Sequence, residues 1–421
     1  MLGNAVGGDG PSPRALILVE NLSVPFDRRV WQECTTLRDA GWEVHVICPQ
    51  GSKRDTEAEA EIDGVRIHRY PLRAATGGPA GYLREYGSAL WHTARLARKV
   101  GPVDVVHACN PPDLLFLPAL WLKRRGARFV FDQHDLVPEL YLSRFDRGKD
   151  LLYRAVCALE RRTYRTADIV LATNESYRDV AVRRGGKRPE DVFVVRSAPQ
   201  IERFQPVPPE PELKRGKPHL LCYLGVMGPQ DGVDYALRAL AKLRDECGRT
   251  DWHAVFVGSG DAFDAMVELS RELGLTEQVQ FTGRIPDADL VRYLSTADVC
   301  LSPDPRNPLN DVSTMNKVLE YMAMGRAIVS FDLKEARVSA GDAAVYAPAN
   351  DEAQFAKLIT ELLDDPEKRA RMGGIGQERI SGPLSWRNSQ ASLLAAYAAA
   401  SRDRSTQSAG DAVRTRKRQR R

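Results

Sequence analysis

Short runs of consecutive apolar residues recur along the chain and alternate with longer segments of helical period. The runs Ala15 to Val19, Val44 to Cys48, Val65 to Tyr70, Val103 to Ala108, Phe129 to Gln133, Ile169 to Thr173 and Val192 to Val195 read as strands. Helical patterns fall between them at Arg28 to Ala40, Leu83 to Val100, Leu114 to Arg125 and Leu151 to Thr166. Strands that are apolar on both faces and separated by helices predict a parallel sheet covered on both sides. A second series of the same kind runs through Leu220 to Leu224, Ala254 to Val257, Val279 to Phe281, Val299 to Leu301, Ile328 to Phe331 and Ala344 to Tyr346. Between the series lies Pro199 to Pro218, with six prolines, which cannot form a helix and reads as an inter-domain linker.

Composition adds limits rather than identity. A chain of 421 residues, 43% hydrophobic and 28% charged, is long enough for two to three domains, each with its own core. Seven cysteines are scattered without a Cys-x-x-Cys pair, which predicts reduced thiols in a cytoplasmic protein and no zinc site. No run approaches the length of a membrane span, and Met1 to Pro13 is Gly-rich and polar, unlike a signal peptide. The end of the chain is different: six of the last eight residues are cations, Arg414, Arg416, Lys417, Arg418, Arg420 and Arg421. With a net charge of only +4 and no nucleic-acid motif, that tail reads as attracted to an anionic membrane surface or simply solvated, rather than as a nucleic-acid binder.

The most informative chemistry lies in Ser313 to Ser330 (STMNKVLEYMAMGRAIVS), a loop, a short amphipathic helix, a glycine stop and a buried strand. Ser313 or Thr314 is placed to cap the helix, leaving first-turn amides around Met315, Asn316 and Lys317 to face an anion. One turn on, Glu320 stands among apolar residues, where a carboxylate needs a partner and where it suits the vicinal hydroxyls of a ribose. The plainer reading is an ordinary helix with an exposed Glu and an exposed Lys. Asp27 is placed to cap a second helix, with Arg28 and Arg29 in its first turn. Cations there oppose the helix dipole unless an anion binds, the alternatives being a solvated pair or a salt bridge to Glu33. His134, in the strand-end run FDQHD, and the turn Gly258-Ser259-Gly260 sit where α/β folds place ligands. His107 also ends a strand, with a ligand role and a turn-forming role equally open.

The Lys317 to Gly325 segment resembles the nucleotide-sugar signature of retaining glycosyltransferase family 4, Lys-x-x-Glu-Tyr-Met-Ala-x-Gly. Further stretches agree in order, among them ENLSVPFDRRVW from Glu20, DVVHACNPPD from Asp104, TNESY from Thr173, GVMGPQDGVD from Gly225 and LSPDPRNPLND from Leu301. The resemblance implies an α/β GT-B fold, two Rossmann-like domains facing across a cleft with a C-terminal helix crossing back to the first domain. On that pattern residues 1–13 are a disordered N-terminus, 14–205 an acceptor-side domain, 206–218 the linker, 219–385 the nucleotide-sugar domain, 386–400 the crossover helix and 401–421 a disordered basic tail.

The implied reaction is transfer of a sugar from a UDP- or GDP-type donor to a lipid-linked or glycan acceptor, in surface polysaccharide assembly. It is expected to need no metal and no other cofactor, and to run in the cytoplasm or peripherally at the inner face of the plasma membrane. The catalytic set implied is His134, Asp311 and Lys317. The nucleotide-sugar set is Glu320, Asn316, Met315, Arg28, Arg29, Arg284, Ile285, Gly258 and Gly260, and the acceptor set is Asp135, Glu139 and Glu175. The sequence departs from the family in three places. Val226 follows Gly225 where many members carry Arg, Asp231 precedes Gly232 where they carry Lys, and Val312 stands where they carry the donor-sugar Glu. Two other readings stay open: a sugar-nucleotide epimerase, which shares the fold and diphosphate recognition, and a non-catalytic sugar-nucleotide-binding protein, to which these departures lend weight.

Overall fold

The computed structural model describes residues 11–51, 54–72, 78–144 and 148–401. The chain divides into two compact units. The first gathers the described residues through Pro138, then Leu151–Val195 and the chain from Ser389 onward; the second holds Glu139–Asp150 and Arg196–Asn388.

In the first unit the apolar runs become β1 (Arg14–Leu18), β2 (Glu43–Pro49), β3 (Glu59–Ile62), β4 (Val65–Tyr70), β5 (Val105–Cys109), β6 (Arg128–Gln133), β7 (Ile169–Ala172) and β8 (Val192–Val194). They form one sheet in the order β3-β4-β2-β1-β5-β6-β7-β8, parallel except for the β3 to β4 hairpin. The helices are α1 (Arg28–Asp39), α2 (Gly78–Val100), α3 (Phe116–Lys123), α4 (Val137–Arg144), α5 (Leu151–Thr166) and α6 (Glu175–Arg183), with α4 running over the boundary between the units. The predicted helix over Leu114 to Arg125 is shorter than its apolar pattern, because Pro111, Pro112 and the turn at Asp113 occupy its start. Strand β3 escaped the sequence reading because Glu59 and Glu61 leave it only two apolar positions, as suits a sheet edge.

The second unit holds β9 (His219–Leu224), β10 (Trp252–Val257), β11 (Val279–Gly283), β12 (Val299–Ser302), β13 (Ala327–Phe331) and β14 (Ala344–Ala347). Its sheet is wholly parallel, in the order β11-β10-β9-β12-β13-β14. Around it lie α7 (Val233–Asp245), α8 (Phe263–Glu272), α9 (Asp287–Thr296), α10 (Asn316–Ala323), α11 (Lys334–Ala340), α12 (Glu352–Asp364) and α13 (Pro366–Ser381). Apolar clusters fill both faces, one beneath α7 and α12, the other beneath α9 and α10. The Pro-rich segment does contain a single 3-10 turn, Pro211–Lys214, since proline is tolerated where the first amides of a turn have no partner to lose. It also leans on α9: the Val207 and Glu210 amides donate to Ser295 Oγ (3.0 Å) and Thr296 Oγ1 (2.9 Å).

In each sheet the strand order reverses once, between β1 and β5 and between β9 and β12, and the loops leaving the carboxyl ends of those strands open a crevice where such folds bind ligands. The last helix among the described residues, over 386–401, returns to the first unit, where Tyr397 packs edge-on against Trp42. Among the described residues no helix is long and apolar enough to cross a membrane. The seven cysteines are free thiols. The basic tail from 402 and most of the N-terminal 1–13 segment lie outside the described residues.

Candidate functional site

At the switch point of the second sheet three strand-end loops meet through glycines. Gly225 leaves β9 with its amide donating to Val257 O (3.0 Å), and Gly258 leaves β10 with its amide donating to Gly283 O (3.0 Å). Gly258 has a φ of +136°, and a Cβ there would stand 1.8 Å from Gly225 O, so no other residue fits. A Cβ at Gly260 would meet Met227 O at 2.6 Å. These glycines therefore serve close approach of one loop's backbone to the next.

Lys317 rises toward these loops from the first turn of α10. It is buried, its Nζ lies 2.6 Å from Asp304 Oδ1, and it stands 5.0 Å from the centre of the Tyr223 ring. Ser302 Oγ donates to the other Asp304 oxygen (2.8 Å), and Asp231 Oδ2 accepts from the Gly228 amide (2.8 Å). Burial alone would lower the Lys317 ammonium, but Asp304, Tyr223 and Asp231 hold it above its ordinary value. Asp231 is pushed up to about 6 by burial, with Lys317 pulling the other way. The site thus contains one buried cation with two carboxylates and an aromatic face around it. A helix N-terminus lies beside it, and that combination can exchange a carboxylate partner for a phosphate oxygen.

Several expectations change here. Neither Ser313 nor Thr314 caps α10; Met315 occupies the cap position with extended backbone and no side-chain cap bond, while Ser313 Oγ donates to Leu309 O (2.8 Å). Two residues, Thr314 and Met315, separate Ser313 from the helix, too far for a cap, because the chain leaves the 3-10 turn Asn310–Val312 in extended form before α10 begins. Lys317 is not the exposed cation of the plainer reading. Asp311 is committed within its loop, accepting from the Lys334 amide (3.1 Å) and lying 3.5 Å from Arg306. Asn316 is exposed, and Met315 and Glu320 are half-buried. Arg284 is exposed beyond β11, while Ile285 packs partly against the cluster around Leu290 and Val291. Two residues escaped the sequence reading. One is Asp304, which holds Lys317, and the other is Asn310, whose Nδ2 donates to Gln230 O (2.8 Å) and Pro305 O (2.9 Å) and so tethers the loop after β12 to that after β9.

The first unit carries a different polar cluster at the ends of β5 and β6. Asp27 caps α1, accepting from the Val30 amide (3.1 Å). Arg29 then points inward, with Nη2 2.7 Å from Asp132 Oδ1 and 3.2 Å from Glu33 Oε1, and Nη1 donating to Val195 O (2.7 Å). This removes Arg29 from the nucleotide-sugar set: the salt bridge to Glu33 is present, and Asp132 strengthens it. Arg28, one position earlier, is half-buried. His134 Nε2 lies 2.6 Å from Asp132 Oδ2, and His107, fully buried, reaches the same oxygen at 3.5 Å while its Nδ1 meets Tyr397 Oη at 2.9 Å. Structural packing therefore accounts for His107. Burial raises Asp132, but Arg29 and His134 outweigh it and hold its carboxyl well below the usual range; Glu33 is pushed well up by burial and by Asp132.

Glu33, His107, Cys109 and Asp132 bring ligand-type atoms within 4.8 Å of one another. Arg29 already supplies the positive charge between the two carboxylates, so the donor set is poorly suited to a cation. Asn110 organises the turn that carries His134: its Oδ1 accepts from the amides of His134 (2.8 Å) and Asp135 (3.1 Å). Asp135 is half-buried and raised by burial. Glu139 is half-buried on α4 in the second unit, and Glu175 is exposed in the first turn of α6, 3.7 Å from Arg178. Glu20, just beyond β1, was not singled out; it is buried, its Oε1 has no hydrogen-bond partner, and burial, then Glu85, pushes it up to about 8.

Comparison with known proteins agrees with this geometry. The "Glycosyl transferase 4-like domain" family matches residues 27–197, and "Glycosyl transferases group 1" matches residues 218–365. Glycogen synthase of Mycobacterium tuberculosis is 24% identical over 397 residues, which cover 89% of this chain and 91% of that protein. Among solved structures, sucrose-phosphate synthase from Thermosynechococcus elongatus superimposes with a TM-score of 0.74 at 19% identity, covering 92% of this chain and 98% of that one. HepE of Anabaena, solved with UDP-glucose, gives 0.66 at 14% identity, covering 90% and 98%. The two family matches fall on the two doubly wound units in turn, and the chain belongs to the GT-B glycosyltransferases, with a glycosyl transferase 4-like first domain and a group 1 second domain.

Proposed function

We propose that this glycosyltransferase takes its sugar from a nucleoside diphosphate sugar, retains the anomeric configuration, and delivers to a lipid-linked or polysaccharide acceptor in cell-surface glycan assembly. The observation that carries the donor half is Lys317, a buried ammonium at the β9/β12 switch point beside a glycine-lined rim and the start of α10. HepE, of like fold, binds UDP-glucose, which supports the same donor class here. In transfer, the bond from the anomeric carbon to the diphosphate breaks, the acceptor oxygen bonds to that carbon, and the hydroxyl proton leaves with the diphosphate. Negative charge grows on the leaving oxygen, so a fixed cation and helix amides lower the barrier directly. Lys317 and the amides at Asn316 take the diphosphate, Glu320 the ribose, and the Arg284-Ile285 loop the base. With Val226 and Asp231 where the wider family has cations, Lys317 carries more of this load. No metal is needed in this scheme. In the first unit the candidate is His134, oriented by Asp132 and Asn110.

A panel of radiolabelled nucleotide sugars with a membrane extract as acceptor tests the reading. Label should move to acceptor from one donor and not at all with Lys317→Ala, whose affinity for nucleoside diphosphate should fall roughly 10- to 100-fold while nucleoside affinity changes little. Turnover without acceptor would make the protein an epimerase. Tight donor binding without turnover would make it a sensor.

A further inference from the structure

We propose that the outer face of α2, α3 and α5 in the first unit is a docking surface for an anionic lipid bilayer. Helix α3 packs against both α2 and α5, so the three form one continuous layer. Large apolar side chains stand out from it: Leu151 is 80% exposed, Trp91 60% and Leu117 47%. Between α2 and α3 lies a groove of about 350 Å³, lined by Trp91, Leu117, Pro118 and Trp121. Such groups gain nothing from water and fit the interfacial zone of a bilayer, where tryptophan is enriched.

The charge on the same face has one sign. Arg84, Arg95 and Arg98 on α2 and Arg154, Arg161 and Arg162 on α5 are exposed, and Arg124 and Arg125 follow α3. The three helices contain two carboxylates, Glu85 and Glu160, and neither is exposed; Glu160 is paired with Arg184. Lys99 is tied to Glu59. Arg98 and Arg125 lie over the Trp121 ring, at 5.3 and 3.9 Å from its centre, and Arg95 over Trp91 at 5.8 Å. A guanidinium laid on an indole keeps its charge at the headgroup level while the ring and stem enter the apolar zone. A polyanion such as a nucleic acid would use the arginines but leave Leu117 and Leu151 in water, so the apolar anchors decide for lipid. The surface is independent of the donor reading, since it involves none of the nucleotide-side residues.

The test uses the full chain, keeping the basic 402–421 segment constant, and vesicles of phosphatidylcholine with roughly 30% phosphatidylglycerol. The triple variant Arg95→Glu, Arg154→Glu, Arg162→Glu should bind these vesicles on the order of 100-fold more weakly at low salt, with the gap narrowing as salt rises. Its thermal unfolding and nucleoside diphosphate binding should match the parent. Trp91 is the one exposed tryptophan among the described residues, so the emission should shift to the blue on vesicle addition, and Trp91→Phe should reduce the shift to the smaller part that half-buried Trp121 contributes. The double variant Trp91→Ser, Leu117→Ser provides a second route should the charge-reversed chain fail to fold, and should also weaken vesicle binding. Parent-like sedimentation by the folded variants, or no emission shift in the parent, overturns the proposal. Tight binding of duplex DNA without vesicle binding overturns it too and assigns the face to nucleic acid.

Discussion

The two units solve the same problem, a charged cluster at the carboxyl edge of a parallel sheet, with opposite chemistry. In the first unit the cation is Arg29, whose planar fork is fixed by Asp132, Glu33 and Val195 O inside a site with no glycine rim. In the second it is Lys317, a compact ammonium on a flexible stem, beside loops whose glycines let one backbone approach the next. A bidentate arginine is a lock, since each donor has a fixed direction; a lysine can turn to a new anion without rebuilding its surroundings. The difference separates a cluster built to hold its unit together from one with the chemistry to exchange its anion.

Replacing Arg29 should break the first cluster outright. Arg29→Ala leaves Asp132 and Glu33 buried without their cation, and a loss of about 3 to 5 kcal/mol in chemical denaturation is expected. Arg29→Lys should recover little of it, and full recovery would mean the fork geometry is irrelevant. On the second unit, Gly258→Ala sets a methyl against Gly225 O and forces an alanine to positive φ, so a loss of at least about 3 kcal/mol is expected, with nucleotide binding abolished.

The first unit should also respond to pH. Glu20 and Asp113 are pushed up to about 8, in both cases chiefly by burial, with ordinary values near 4.5 and 3.8. Between those values and pH 8 the folded chain holds protons that the unfolded chain has released. Stability therefore falls as pH rises through this window, on the order of 1.4 kcal/mol per pH unit for each group. Glu20→Gln should flatten the slope, as read by denaturation at pH 5 and pH 8; an unchanged slope would show that the Glu20 carboxyl is not held protonated.

Smaller effects sharpen the binding side. Asp304→Asn removes the carboxylate that competes for Lys317, so the ligand-free protein should lose about 1 to 3 kcal/mol while nucleoside diphosphate restores more of its stability than in the parent. Equal stabilisation of both by the ligand would mean Asp304 and phosphate do not compete. Glu320→Gln should weaken nucleotide binding by about 1.5 to 3 kcal/mol in calorimetry, and parent-like binding would remove Glu320 from the ribose site.

Much of this was legible from the chain alone because both sheets are apolar on two faces, a pattern that survives at every central strand. The edge hairpin β3 was not, because an exposed edge strand needs few apolar residues. At the sites, residues placed by the helix motif, Lys317 and Glu320, could be found from local spacing. Asp132, Asp304 and Asn310 could not, because a deciding partner of each lies on another element, Arg29 on α1, Lys317 on α10 and Gln230 after β9: an acid beside an apolar run announces a buried ion pair, but the run does not name the cation. Arg29 was legible as part of a pair and misassigned for the same reason. Its sequence neighbour Glu33 could be seen at helical spacing, whereas Asp132 comes 103 residues later.

The hydrogen bond between Tyr397 Oη and His107 has a consequence for how the protein is made. His107 sits in the middle strand region of the first unit, yet the group that completes its environment belongs to the helix over 386–401, which leaves the ribosome after the whole sheet of the second unit. While the nascent chain grows, the first unit must wait with an open seam beside Trp42 and His107 until nearly all of the second unit has been synthesised. A stop codon around position 385 would thus damage the half of the molecule made first, leaving the sheet of the second unit complete and the older one unfinished.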